Sequence, residues 1–96
     1  ITIKQTPEFA AWLSGLNDGM TQRRLATRLR KASLGNLGDV KPVGSGVMDA
    51  EFFGPGWRLY YVQRGQVLTV MLGGGDKSTQ PADIAKAIAR AATLED

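Results

Sequence analysis

The clearest pattern of apolar and polar residues lies in the second half of the chain. Residues 57–62 alternate, so Arg58 and Tyr60 fall on the same face of an expected strand. Residues 67–72 are apolar except for Thr69, a composition that predicts a strand covered on both faces. The polar segment between the two runs contains a glycine and predicts a tight turn. We therefore expect a β-hairpin with one deeply buried strand.

Helical spacing characterises the first third of the chain instead. Thr6 followed by Pro7 is typical of a helix start, with threonine as N-cap and proline as the first helical residue. Residues 17–19, Asn-Asp-Gly, predict the end of this helix, and residues 20–33 predict a second helix. The short connection predicts an antiparallel helical hairpin. The apolar residues that recur at helical spacing in the first helix are Phe9, Trp12, Leu13 and Leu16.

The remaining segments complete an α+β order. Residues 1–5 alternate and predict a short strand, either at a sheet edge or paired with the hairpin. A glycine-punctuated approach at 38–47 leads to a third expected strand at 47–53. Residues 73–75 are glycines and predict a flexible loop, after which Thr-Gln-Pro at 79–81 predicts a last helix. The predicted order is β-α-α-β-β-β-α.

Composition limits the class of protein. The 96 residues, 43% of them hydrophobic, are enough for a single domain with one core, so we assign 1–96 to one unit. No apolar run approaches the ~20 residues of a membrane span and no secretory leader is seen, which predicts a cytoplasmic protein without membrane contact. Because the chain has no Cys and no His, we expect no metal and no cofactor, and any catalysis must use Arg, Lys, Tyr, carboxylates or hydroxyls.

The net charge of +3 is unevenly distributed. Residues 20–42 contain six Lys or Arg and one Asp, a local balance of +5. Such a surface favours a polyanionic partner, either nucleic acid or an acidic protein segment, and a solvated helix face is the equally weighted alternative. The basic residues of the second predicted helix are Arg23, Arg24, Arg28, Arg30 and Lys31.

Four sequence motifs together resemble one known family. They are FAAWL at 9–13, GNLGDVKPVG at 35–44, GPGWRLYY at 54–61 and LGGGDKSTQ at 72–80. In this order they resemble the RelE/ParE superfamily of toxins from type II toxin-antitoxin modules, and within it the HigB-like "addiction module killer protein" branch. The last two motifs are the most specific, because a GPG-aromatic-Arg turn followed by a GGDK-S-T-Q exit rarely arises by chance.

The resemblance implies a fold and a function. The implied fold is RelE-like α+β, in which an N-terminal strand and helical hairpin pack on a four-stranded, mainly antiparallel twisted sheet with a C-terminal helix. The implied function is ribosome-dependent cleavage of mRNA, which inhibits translation and is neutralised by a cognate antitoxin, often a helix-turn-helix protein. The implied partners are the antitoxin and the ribosome with mRNA, with DNA contacted only through the antitoxin. A gyrase-poisoning toxin of the ParE type and a catalytically decayed antitoxin-binding protein are the alternatives.

Candidate catalytic residues follow from the chemistry and the resemblance. Metal-independent RNA cleavage uses the substrate 2′-hydroxyl as nucleophile, so the protein must move protons and stabilise charge on the phosphate. Arg58 matches the strand arginine of the superfamily and is the first candidate; a structural ion pair with Asp49 or Glu51 is the alternative. Lys77 is the second candidate for phosphate contact or proton transfer, unless it is a surface lysine at a helix start. Tyr60 either stacks on a base or fills the sheet face.

RNA contacts outside the catalytic set are expected from Lys41 and from Arg23, Arg24, Arg30 and Lys31 of the second helix. One feature departs from the family pattern. Relatives commonly carry Glu-Leu-Arg in the strand before the GPG turn, whereas this chain has Asp-Ala-Glu at 49–51. Glu51 thus places an acid where a base is usual, and an unpaired carboxylate there would repel RNA.

Overall fold

The computed structural model describes residues 2–35, 39–51, 56–65 and 68–94. Within these ranges the chain forms three α-helices, five β-strands and one short 3-10 helix. The strands are β1 (Thr2–Gln5), β2 (Asp39–Gly44), β3 (Val47–Glu51), β4 (Arg58–Arg64) and β5 (Leu68–Gly75). The α-helices are α1 (Pro7–Ser14), α2 (Gly19–Ser33) and α3 (Gln80–Thr93), and the 3-10 helix covers Lys77–Thr79.

The five strands form one mixed sheet in the order β1-β5-β4-β3-β2. Strands β2 to β5 pair antiparallel in succession, and β1 is added parallel to β5 at the edge. This confirms the predicted hairpin, now β4 and β5, and the edge position of the first strand. The sheet has one strand more than the four expected, because Asp39–Gly44 pairs with β3 rather than forming a loop. Residues 52–53 of the expected third strand lie outside the described residues.

Each face of the sheet carries its own core. On one face, Phe9 of α1 and Leu25 and Leu29 of α2 pack against Leu59 and Met71 of the sheet. On the other face, α3 covers a second cluster that includes Tyr60, Val62 and Leu72 and the helix residues Ala87 and Ala91. Strand β5 contributes to both clusters, as its apolar composition predicts. The face of β4 that carries Arg58 and Tyr60 is therefore the face under α3.

The caps of the helices explain their boundaries. Thr6 caps α1 as predicted: its hydroxyl oxygen accepts from the Phe9 amide at 3.2 Å and donates to the Met71 carbonyl at 2.9 Å. Helix α1 ends at Ser14 with Gly15 as its C-cap, earlier than the Asn-Asp-Gly predicted to end it. Asp18 instead starts α2, because its carboxylate accepts from the Met20 amide at 3.1 Å. No helix in the described part of the chain has the length and apolar character required to span a membrane.

The glycines at 73–75 belong to β5, although the sequence predicted a loop there. A Cβ at Gly73 would lie 2.9 Å from the Arg90 guanidinium, a Cβ at Gly74 would collide with the Trp12 ring, and one at Gly75 would collide with Asp83. Helices therefore approach this end of the strand from both faces. Glycine is needed here for close approach of side chains, not for flexibility.

Candidate functional site around Arg58

Arg58 begins β4 and is held by two carboxylates of the neighbouring strand. Its Nη1 donates to Asp49 Oδ2 at 2.9 Å, and its Nη2 lies 3.5 Å from Glu51 Oε2. The pairing register makes Glu51 the direct cross-strand partner of Arg58. The Arg58 side chain is only 7% exposed. The alternative drawn from the sequence, an ion pair with Asp49 or Glu51, is therefore present with both residues.

The Asp49 carboxylate is the centre of this network. Its side chain is fully buried, and Oδ2 also accepts a hydrogen bond of 3.1 Å from Gln80 Nε2 in the first turn of α3. The second carboxylate oxygen, Oδ1, and Arg58 Nε are both buried, and neither has a hydrogen-bond partner among the described residues. The ion pair thus ties β3 and β4 to the start of α3 while leaving two polar atoms unused.

A depression of about 110 Å³ opens beside these side chains. Lys41 is the direct partner of Asp49 on the edge strand β2 and is exposed, so it shares the sheet face of Arg58. Two cations and three carboxylates line the depression, and its formal charge is negative. The lining residues, called the Arg58 depression below, are Asp39, Val40, Lys41, Asp49, Glu51 and Arg58.

Tyr60 lies in the core under α3 with none of its surface exposed. Burial raises the pKa of its phenol well above the usual value, the charges of Asp49 and Asp83 raise the pKa further, and Arg58 lowers it. The phenol is therefore neutral at physiological pH. Because α3 covers the ring, Tyr60 fills the sheet face, which is one of the two roles expected for it.

Lys77 is exposed and lies outside the Arg58 depression, in the short 3-10 helix that follows β5. Its stem packs against Gly56, where a Cβ would lie 3.1 Å from the Lys77 Cβ. Gly56 has a φ of +86°, a conformation that favours glycine. Asp76 orders this segment, since hydrogen bonds from Ser78 hold its carboxylate and lower its pKa. Lys77 is thus placed near the start of β4, and no hydrogen bond or ion pair among the described residues joins it to the Arg58 network.

The basic residues of α2 form a second region. One outer face of this helix consists mainly of cations. Because Leu25 and Leu29 of α2 pack on the sheet face opposite to α3, this outer face lies on the other side of the sheet from Arg58. Arg30 is exposed but is not part of it. The residues of this surface, called the α2 basic face below, are Met20, Arg23, Arg24, Thr27, Arg28 and Lys31.

Two features of the site were missed from the sequence. The sequence predicts Gln80 only as part of a helix start, and it predicts an ion pair of Asp49 with Arg58 but not the complete burial of Asp49. Alternation along β3 puts Asp49 on the same face as Val47. Because Val47 is apolar, this shared face was the available sequence signal that Asp49 is buried. No local signal predicts the Gln80 contact, which spans 31 positions of sequence. Within the described ranges, no group of three or more acidic residues is arranged to hold a metal ion.

Comparison with known proteins identifies one relative. A protein of Haemophilus influenzae described as uncharacterized is 39% identical over 88 residues, which cover 91% of this chain and 89% of that protein. No family model and no solved structure matches the chain. The aligned region contains β2, β3 and β4 in any placement of these 88 residues, so the strands that build the Arg58 depression are part of the shared sequence. The chain belongs to the same protein family as this Haemophilus influenzae protein.

Proposed function

We propose that the protein is the toxin of a type II toxin-antitoxin module, a HigB-like member of the RelE/ParE superfamily that cleaves mRNA on the ribosome. The motifs that resemble this family extend from residue 9 to residue 80. The antiparallel succession of β2 to β5, with two helices before it and one after it, supports a RelE-like fold. A cognate antitoxin, expected to be a helix-turn-helix protein, would neutralise the activity.

The observation that carries the proposal is the position of Arg58. Its guanidinium lines the same depression as Lys41, which comes from a strand on the far side of β3. Two cations from separate strands can bind phosphates of an extended RNA strand. The negative charge on the phosphate under attack grows as the 2′-oxygen approaches it, and a cation there stabilises that charge. Arg58 is the residue we assign to stabilising that charge, and Lys41 would bind an adjacent phosphate.

Tyr60 is a poor candidate for the proton transfer that RNA cleavage requires. A buried phenol with a raised pKa neither accepts nor releases a proton readily at neutral pH. Lys77 is exposed at the end of the sheet where β4 begins, and it remains our candidate for contact with the leaving 5′-oxygen. Because Lys77 does not line the Arg58 depression, this role requires the substrate to extend from the depression toward Gly56.

Expression in bacteria tests the function directly. We expect growth arrest, relief of that arrest by the neighbouring antitoxin gene, and cleavage of a translated message on purified ribosomes. Arg58→Lys keeps a cation beside Asp49 but removes the planar fork, so the cleavage rate should fall by about tenfold to a hundredfold. Arg64→Lys is the matched control, since it makes the same change at the other end of β4 and should leave the rate unchanged.

A second function is favoured by one specific observation. Both terminal nitrogens of Arg58 already face carboxylates, as expected for an antitoxin-binding protein that has lost nuclease activity. Such a protein would bind the antitoxin without arresting growth.

Growth arrest with intact mRNA on ribosomes and altered DNA topology would instead indicate a gyrase poison of the ParE type, and would reject the nuclease assignment.

A further inference from the structure

We propose that Glu51 is an internal competitor for RNA phosphate, occupying one edge of the Arg58 guanidinium until a phosphodiester displaces it. This inference rests on the proposed RNA-cleaving function and adds a regulatory residue to its site. It assigns a role to the residue at which the chain departs from its family pattern. In the resting protein the carboxylate of Glu51 takes the place of the substrate phosphate.

The two ion pairs of Arg58 differ in how firmly they are held. Asp49 is fully buried, lies 2.9 Å from Nη1, and is fixed further by the hydrogen bond from Gln80. Glu51 lies 3.5 Å from Nη2, and 52% of its side chain is exposed. An exposed ion pair at this distance is weak, because water screens it and the free side chain gains rotational freedom. Glu51 is therefore the partner that can exchange, while Asp49 keeps the guanidinium in place.

The edge that Glu51 occupies is the one that suits a phosphate. In arginine, Nε and Nη2 point in the same direction and form a fork that matches two oxygens of one anion. Asp49 binds Nη1, on the other end of the group. Arg58 Nε is buried and has no hydrogen-bond partner within the described residues, so half of the fork is unused. Movement of Glu51 away from Nη2 would expose this edge, and one phosphate could then satisfy both nitrogens.

The charge around Arg58 favours the exchange once Glu51 has moved. Lys41 lines the same depression and is exposed, so it can attract the incoming RNA backbone. Removing the Glu51 carboxylate from the depression leaves two cations beside two carboxylates, one of which, Asp49, is already neutralised by Arg58. Binding of phosphate is then coupled to release of Glu51, which lowers the affinity of the resting protein for RNA.

Equilibrium binding measures this competition without relying on cleavage. The probe is a short, fluorescently labelled single-stranded RNA whose 2′-hydroxyls are methylated, titrated with the purified full chain at low salt. For Glu51→Gln we expect a Kd about twofold to fivefold lower than that of the unaltered protein, the range of one exposed ion pair. This gain in affinity for RNA should shrink as the salt concentration approaches ~1 M, because charges are then screened within about 3 Å.

Asp39→Asn is the matched control. Asp39 lines the same depression and is the direct cross-strand partner of Glu51, so this change removes the same charge without touching Arg58. A larger gain for Glu51→Gln than for Asp39→Asn supports direct competition. Equal gains would reject it and leave only a general charge effect, with the proposed function intact. If no variant binds the probe, the competition is rejected, while the ribosome-dependent function is judged separately by cleavage of a translated message on ribosomes.

Discussion

Arg58 differs from an ordinary surface arginine because its guanidinium lies between a buried and an exposed carboxylate. Asp49 and Glu51 are two residues apart and lie on the same face of β3. Because one is buried and the other exposed, breaking their ion pairs with Arg58 has different costs in stability. A buried carboxylate that loses its cation, or a buried cation that loses its carboxylate, keeps the full desolvation cost. An exposed carboxylate recovers its hydration when the pair breaks. Asp49 is therefore a structural residue, and Glu51 is free to respond to a ligand.

This difference predicts the stability of two variants. Asp49→Asn leaves Arg58 buried without its main counter-charge, and we expect the free energy of unfolding to fall by about 3–5 kcal/mol. Glu51→Gln, with the same loss of charge two residues away on the same strand, should change it by less than about 1 kcal/mol. Urea unfolding followed by circular dichroism measures both. Similar losses for the two variants would contradict the assignment of Asp49 as the anchor of the network.

At the scale of elements, the end of β5 controls how closely the helices approach the sheet. Its glycines lie between Trp12 of α1 on one face and Asp83 and Arg90 of α3 on the other. Arg90 also donates from Nη1 to the Leu72 carbonyl at 2.8 Å. This hydrogen bond joins α3 to β5 at the residue where the β4–β5 pairing register shifts. Any side chain here would push a helix outward. Because Gln80 at the start of α3 reaches Asp49, such a shift would also disturb the Arg58 network.

Alanine at Gly74 tests this packing. The added Cβ collides with the Trp12 ring, so we expect the free energy of unfolding to fall by about 1–3 kcal/mol, as for other overpacked cores. Gly19→Ala is the control, because Gly19 is the first residue of α2 and its Cβ would lie 3.5 Å from the Arg23 guanidinium, an ordinary contact. That variant should be neutral or more stable, since alanine favours helix over glycine. A loss of stability at Gly19 equal to that at Gly74 would show that the effect is not one of packing.

At the scale of the whole molecule, the sheet separates the basic residues of α2 from the Arg58 depression. The α2 basic face lies beyond the sheet face covered by α1 and α2, and the Arg58 depression lies on the face that α3 partly covers. One short RNA strand cannot contact both through the sheet. Under the proposed function, we expect the α2 cations to contact the ribosome, a large polyanion that can meet both sides, and the Arg58 depression to contact mRNA.

The separation predicts different effects for two ligands. The double variant Arg23→Gln with Lys31→Gln should weaken binding to ribosomes and lower the salt dependence of that binding by roughly 1.4–1.8 units of slope, since each lost cation accounts for about 0.7–0.9. Binding of a short single-stranded RNA should stay within about twofold of the unaltered value. Filter binding of both ligands at several salt concentrations measures the contrast, with Lys4→Gln and Lys86→Gln together as the control for net charge. An equal loss for both ligands would mean that the α2 cations contact the short RNA.

The sequence by itself determined the elements with strong local signals. Alternation predicted the β4–β5 hairpin, apolar spacing and the Thr6-Pro7 cap predicted α1, and a run apolar on both faces predicted a covered strand. These features depend on residues close together in the chain, so their pattern is visible without the fold. The possibility of an ion pair between Arg58 and the β3 carboxylates was also visible, because hairpin strands bring such residues together.

Only the tertiary structure decided how exposed these residues are and which ones meet. The glycines at 73–75 look like a loop until α1 and α3 approach them from both faces, and Asp39–Gly44 becomes a strand because β3 offers it an edge. The alternation of residues 57–62 is equally compatible with an exposed or a covered face for Tyr60, and only the packing of α3 buries it. The contact of Gln80 with Asp49 likewise exists only in the folded chain. Burial and long-range contacts depend on how elements pack, and local sequence does not specify which surface a distant helix will cover.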